Sequence, residues 1–123
     1  MTSVKLNASE HQEQAAFVEW LNLKGLWHYA VVNALKAGGV KLMMYLKKEG
    51  LRPGVPDLVI PYKTHDFGGL YCEMKKKGGR VKPEQAKWHE FLRGQGYQVC
   101  VCYSADEAIE ATLRYMNGAV NHA

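Results

Sequence analysis

Asp57 follows Pro56, and after fifteen intervening residues come Glu73, Met74 and Lys75. In a strand alternate residues share a face, so Glu73 and Lys75 stand side by side with Tyr71, while Leu70, Cys72 and Met74 point the other way. Asp57 begins the preceding apolar stretch. If the two strands pair as a hairpin, Asp57 approaches Glu73. Two carboxylates brought together in a partly apolar site repel one another, and a hard divalent cation with oxygen ligands resolves that repulsion. A neighbouring lysine can then orient or deprotonate an attacking water and balance charge on a phosphate. Both roles follow from the same placement of Lys75, whose amine becomes a base if it is desolvated.

Taken alone, a D…E-x-K triplet is common, and a turn aspartate with an ion pair on an exposed strand explains it equally well. The context shifts the balance. Glu73 and Lys75 end an apolar strand beside a basic cluster, with Lys75, Lys76, Lys77, Arg80 and Lys82 within eight positions. Lys41, Lys47, Lys48 and Arg52 form a second basic group. Glu10 is a further carboxylate on the apolar stripe of a helix, where burial needs a reason.

The elements that must position these residues can be read from pattern. Ser9 with Gln12 three residues on is a capping box, which predicts a helix from about Glu10 to Lys24 that stops at Gly25. Phe17, Val18, Trp20 and Leu21 define its apolar side. Glu10 and Gln14 fall near the middle of that side, Glu13 towards its edge, and Glu19 points away. Trp27 to Asn33 reads as a strand. Ala37-Gly38-Gly39 breaks it from a short helix near Val40 to Glu49. Gly50 to Pro56 is a loop with two glycines and two prolines. Asp57 to Pro61 and Leu70 to Lys75 are strands joined by a turn region, Lys63 to Gly69. Pro83 opens a helix to about Arg93 that partly buries Ala86, Trp88, Phe91 and Leu92. Tyr97 to Tyr103 is a buried strand. Ser104 caps a last helix through about Met116, with Gly118 just beyond. The order predicts an α/β fold with a central mixed sheet flanked by helices.

Bulk properties narrow the classes. A chain of 123 residues fits one domain, 1–123. It is 47% hydrophobic and 23% charged, which permits a core and argues against global disorder. The net charge of +4 fits a polyanionic partner without requiring one. Three cysteines, Cys72, Cys100 and Cys102, include no C-x-x-C pair, so a disulfide framework or zinc ribbon is not expected. Cys100 and Cys102 read as small core residues in a reducing cytoplasm. Met1 to Asn7 lacks a signal-peptide pattern, and no stretch is long and apolar enough to span a bilayer, so no membrane association is expected.

The Pro-Asp…Glu-x-Lys pattern, lying between a helix with Glu10 and a helix with Gln85, resembles the PD-(D/E)xK nuclease superfamily, with its restriction endonuclease-like core. More narrowly the chain is similar to the virus-type replication-repair nuclease (VRR-NUC) domain. The residues that carry this are Ser9 to Gln14, Asn33, Gly38-Gly39, Gly54 to Leu58, Glu73-Met74-Lys75 and Gly79 to Gln85, with Trp88, Leu92 and Gly96-Tyr97. They extend from about Ser9 to Tyr103.

The resemblance implies a DNA endonuclease that uses Mg²⁺ or Mn²⁺. Asp57 and Glu73 would bind the ion, with the Met74 backbone carbonyl as a further ligand. Lys75 would manage the attacking water, Glu10 would complete the site, directly or through water, and Gln85 would support it. Stand-alone viral and bacterial relatives resemble Holliday junction resolvases that work as homodimers. That implies branched DNA such as junctions or flaps, a homodimer, and a bacterial cytoplasm, host- or phage-encoded. Lys76, Lys77, Arg80, Lys82 and Arg52 are the candidates for DNA contact. The apolar segment from Val40 to Leu51 is the candidate dimer interface.

Other features carry less. His11, His28, His65, His89 and His122 show no H-E-x-x-H spacing. No phosphate-binding glycine motif or nucleophile elbow is present. Trp20, Trp88 and Phe91 have helical spacing and read as core. Two competing readings remain: a nucleic-acid-binding module of the same fold without turnover, and a structural domain with decorative surface charge.

Overall fold

The computed structural model describes residues 9–32 and 34–121. Met1 to Asn7, Asn33 and His122 lie outside the described residues. The Ser9 hydroxyl accepts from the Gln12 N–H at 3.0 Å, and Gln12 Oε1 accepts from the Ser9 N–H at 2.9 Å. This reciprocal cap starts α1, Glu10–Leu23, and Gly25 at φ 68° turns the chain out of it. Phe17 and Leu21, one turn apart, are completely buried. Each such side chain contributes roughly 1.5–3 kcal/mol by leaving water.

The remaining elements are β1 Tyr29–Ala30, α2 Ala34–Lys48, β2 Leu58–Ile60, β3 Leu70–Met74, α3 Pro83–Gly94, β4 Gln98–Cys102 and α4 Ala105–Asn121. The sheet order is β1-β2-β3-β4. The first two pairings are antiparallel, and β3 pairs with β4 in parallel. The sheet is therefore mixed, as expected, with α3 as the crossover that a parallel pair requires.

Register assigns the two faces. Leu58 lies opposite Cys72, Ile60 opposite Leu70, and Met74 beside Cys102. These residues form one apolar face, covered by Phe17 and Leu21 of α1 and by Ala105, Ala108 and Tyr115 of α4. The other face carries Val59, Tyr71 and Glu73, and α3 packs on β4 with His89 and Leu92 buried. Cys102 belongs to the core and Cys100 packs against it. The Cys72 and Cys100 sulfurs lie 3.2 Å apart because the strand register pairs them, and all three thiols are free. Two long-range bonds hold α4, one from α1 and one to the segment after β2. Glu13 Oε1 accepts from the Ala105 N–H at 2.7 Å, and the Tyr115 hydroxyl donates to the Tyr62 carbonyl at 2.6 Å. Glu13 thus satisfies an amide at the start of α4, where a carboxylate is favoured.

The structure departs from the sequence expectations in four places. Among the described residues of the strand expected from Trp27 to Asn33, only Tyr29–Ala30 pairs as strand, because its partner β2 is three residues long and the Trp27 N–H donates instead to the Tyr62 hydroxyl. The second helix begins at Ala34, with the expected glycine break surviving as a kink at Gly39 (φ 80°, ψ −161°). The last helix continues through Gly118 to Asn121. On α3, Ala86 is exposed, Phe91 is 56% exposed and Trp88 is half-buried. Leu92 is buried as expected, and that helix turns Gln85 and His89 inward beside it.

The loop before β2 is fixed by Gly54, at φ 94°, where a Cβ would stand 3.0 Å from the Glu84 carbonyl oxygen on α3. Gly50 has φ 107° but open space around it. Gly50→Ala should therefore cost about 1 kcal/mol, from backbone strain alone. Gly54→Ala should cost at least about 2 kcal/mol, because it must also push the loop off α3. Urea denaturation of the two variants checks this, and equal losses would contradict the close packing of loop on helix.

Candidate active site

Leu58 opposite Cys72 is the last registered pair of β2 and β3. One residue further, Asp57 stands opposite Glu73, so their side chains share a face. Asp57 Oδ2 accepts from the Met74 N–H at 2.7 Å, and the Asp57 carbonyl accepts from the Val31 N–H at 2.8 Å. The carboxylate is thereby held at the point where β2 and β3 diverge. A strand residue sends its N–H and C=O to the same edge, so the Met74 carbonyl also faces the Asp57 side. The conditional hairpin in the sequence reading is the observed one.

Glu73 sits on a central strand and is 2% exposed. Burial is the largest influence on its carboxyl, followed by the charge of Asp57 and a hydrogen bond between the two side chains. Lys75 pulls the other way and Glu10 adds to the rise. The result is a carboxyl raised from 4.5 to about 8. The acidic pair therefore keeps a proton at neutral pH, the expected outcome for two carboxyls sharing a low-dielectric site.

Two side chains of α3 hold this arrangement. Gln85 Oε1 accepts from Lys75 Nζ at 2.7 Å and from the Lys82 N–H at 2.9 Å, while its amide nitrogen faces Glu73 Oε2 at 3.4 Å. Two donors converge on one atom, which identifies it as the amide oxygen. Gln85 thus caps the start of α3 and bridges Glu73 to Lys75. His89 Nε2 lies 3.2 Å from Glu73 Oε1, and both side chains are buried. Burial, then the charges of Arg93 and Lys75, lower the His89 pKa, so the contact is a hydrogen bond of neutral imidazole and not an ion pair. His89 was passed over in the sequence as one of five scattered histidines. The available signal was its position one helical turn after Gln85.

The other candidates differ in burial and in what they touch. Glu10 is half-buried in the first turn of α1 and acts on Glu73 through its charge. Among the described residues, no three His, Cys, Asp or Glu side chains group closely enough to hold a metal ion by themselves. The donor chemistry nonetheless suits a hard cation: two carboxylates and a backbone carbonyl, with coordination left for water, as Mg²⁺ prefers. Lys75 is 7% exposed, whereas Lys76, Lys77, Arg80, Lys82 and Arg52 are all exposed. A cleft with about 140 Å³ of free volume opens beside Asp57 and Gln85, with Arg52 and Lys82 among its walls.

A mixed sheet that sets an acidic pair and a lysine at the end of neighbouring strands defines a PD-(D/E)xK-like α/β domain. The chain belongs to the VRR-NUC domain family, which matches residues 6–106. A solved structure described as a VRR_NUC domain protein has the same fold, with a TM-score of 0.72, 21% identity and 90% of each chain covered. No curated protein matches the chain. Family membership makes this a nuclease-family domain. Among the described residues no helix is long and apolar enough to cross a membrane.

The raised carboxyl has a consequence for the metal-free protein. Glu73 binds a proton up to about pH 8 when folded but only to about 4.5 when unfolded. Its contribution to stability is complete below the unfolded value and is lost as pH rises through the folded one. His89 acts oppositely, since its lowered value removes stability only as pH falls below its ordinary 6.5. Between those two values, 6.5 and about 8, the Glu73 effect is isolated. In EDTA, thermal melts should fall with pH across that window more steeply for the natural protein than for Glu73→Gln. Parallel curves would contradict the shared proton.

Proposed function

We propose that this chain is a divalent-metal-dependent endonuclease that hydrolyses DNA phosphodiester bonds from a single domain spanning residues 1–123. The observation that carries the reading is the Asp57–Glu73 pair, crowded enough to retain a proton, with buried Lys75 two residues along the same strand face. Mg²⁺ or Mn²⁺, held by Asp57, Glu73 and the Met74 carbonyl with Glu10 through water, would supply Lewis-acid charge at the scissile phosphate. Lys75 positions the attacking water and balances charge on the phosphate. Gln85 fixes the lysine head by accepting from Nζ. His89 holds Glu73 through the other carboxyl oxygen, Oε1. Arg52 and Lys82 line the cleft, Lys76, Lys77 and Arg80 are exposed, and all five suit phosphate contacts, which position DNA without reading its sequence.

Branched DNA such as flaps or four-way junctions is the substrate class we favour, acted on by a homodimer that sets two active sites against two related strands. Support for the dimer comes from α2, where Val40, Met44 and Tyr45 are each at least 60% exposed, more apolar surface than a lone helix needs. Met43 is half-buried in the wall of the active-site cleft, so Met44 and Tyr45 are the residues to change. Light scattering should give a dimer mass at micromolar concentration and a monomer for Met44→Glu with Tyr45→Glu. A monomer mass for the natural chain, with and without junction DNA, would remove the dimer.

Cleavage of linear, nicked, flap and four-way DNA in Mg²⁺, Mn²⁺ or EDTA tests the activity. Asp57→Asn and Glu73→Gln nearly preserve shape but remove charge, and each should lower cleavage at least about a thousandfold. Lys75→Ala should slow cleavage by about 10²–10⁴-fold while calorimetry still detects metal binding. Natural turnover by either acidic-pair variant, folded and pure, would refute the assignment. Binding of DNA without any cleavage would leave a non-catalytic module.

A further inference from the structure

The outer side of α3 carries a feature that neither the core nor the acidic pair uses. Phe91 is 56% exposed and meets the half-buried Trp88 edge to face, with ring centroids 5.9 Å apart at 88°. The Arg52 guanidinium, from the loop before β2, lies 5.5 Å from the centre of the Trp88 ring. Lys87 joins these three around a shallow hollow of about 290 Å³. A second hollow, between Arg52, Pro53, Glu84 and Trp88, shares its first three residues with the active-site cleft that holds Asp57. A path of contiguous surface therefore leads from the acidic pair to the aromatic shelf. Apart from Asp57 itself, Glu84 is the one acid among the residues lining that path, against Arg52, Lys82 and Lys87.

We infer that this shelf binds the unpaired nucleobases of DNA that carries a single-stranded segment next to the cut site. The inference rests on the DNA-cleaving reading of the acidic pair and specifies its substrate. The shelf combines an open aromatic ring with two cations, and an unpaired nucleotide offers the matching chemistry, a flat π face on an anionic backbone. A second protein chain docking by apolar contact would have to desolvate Arg52 and Lys87 without partners. Fully paired duplex offers no base face, because each base is already stacked. The base stacks on the open side of Phe91, Arg52 keeps the Trp88 ring in place, and Arg52 and Lys87 take the flanking phosphates. Stacking of this kind tolerates any base, so it selects for DNA structure and not for sequence.

Fluorescence anisotropy in EDTA tests this with two dye-labelled duplexes, one bearing a short single-stranded tail and one bearing the same tail without bases. Both carry the same phosphates. The natural protein should bind the base-bearing tail about tenfold more tightly. Phe91→Ala and Phe91→Leu should bring that ratio close to one, with circular dichroism unchanged because the ring is exposed. Equal affinity of the natural protein for both tails would overturn the inference, as would a ratio that survives in both variants. A fall in oligomeric mass for Phe91→Ala would also overturn it, by assigning the shelf to contact between copies of the chain. The assay contains no divalent metal. Failure to cleave DNA therefore leaves this result standing, and equal binding of the two tails leaves the cleavage reading standing.

Discussion

Antiparallel pairing of β2 with β3 brings two carboxylates into one low-dielectric corner, and the rest of the domain is arranged around that cost. An isolated buried carboxylate is strongly disfavoured, and two are worse. The strand register leaves no alternative, because Leu58 opposite Cys72 and Ile60 opposite Leu70 are fixed by the apolar face they form with α1 and α4. A slip of one residue would turn that whole face to the polar side. The hydrophobic core therefore imposes the electrostatic strain, and the shared proton relieves it when no cation is present.

Helix α3 converts this strain into an ordered site. Its inward residues, Gln85, His89 and Leu92, are spaced for one helical face, and two of the three are polar. Gln85 reaches Glu73, Lys75 and the Lys82 amide, so one side chain couples the acid, the lysine and the helix start. His89 gives Glu73 a further partner beside Gln85 and Asp57. Every completely buried side-chain polar atom among the described residues is hydrogen-bonded, as expected for a network that must hold one geometry. With Gln85 and His89 turned inward, α3 leaves Phe91 exposed and Trp88 half-buried, and Arg52 covers part of the aromatic surface.

The sequence was most legible where short-range chemistry is decisive. The Ser9–Gln12 cap, Gly25 as terminator and Pro83 at a helix start depend on neighbours within a few residues, and each stands where expected. The alternation from Leu70 to Lys75 also held, because a strand buried on both sides of a mixed sheet cannot shift register. The errors arise where tertiary contacts override pattern. Edge strand β1 is shortened by the length of its partner, which no local pattern encodes. Gly118 was read as a stop, but α4 runs through it, buried at Ala108, Thr112 and Tyr115 against the core. Trp88 and Phe91 were assigned to the core by spacing alone, since spacing reveals a helical face but not whether that face is covered. The acidic pair and Lys75 were visible as a motif. Their crowding, and the part of His89 in it, required knowing which helix lies over which strand.

Proton release on metal binding tests the central claim most directly. Calorimetric titration of the metal-free protein with Mn²⁺ at pH 7, repeated in buffers of different ionisation enthalpy, counts the protons displaced by the ion. Because the Asp57–Glu73 pair retains its proton up to about pH 8, close to one proton should leave for each ion bound, and about none in Glu73→Gln. Mn²⁺ binding without proton release, or unchanged binding after Asp57→Asn, would contradict a cation site built on the crowded pair.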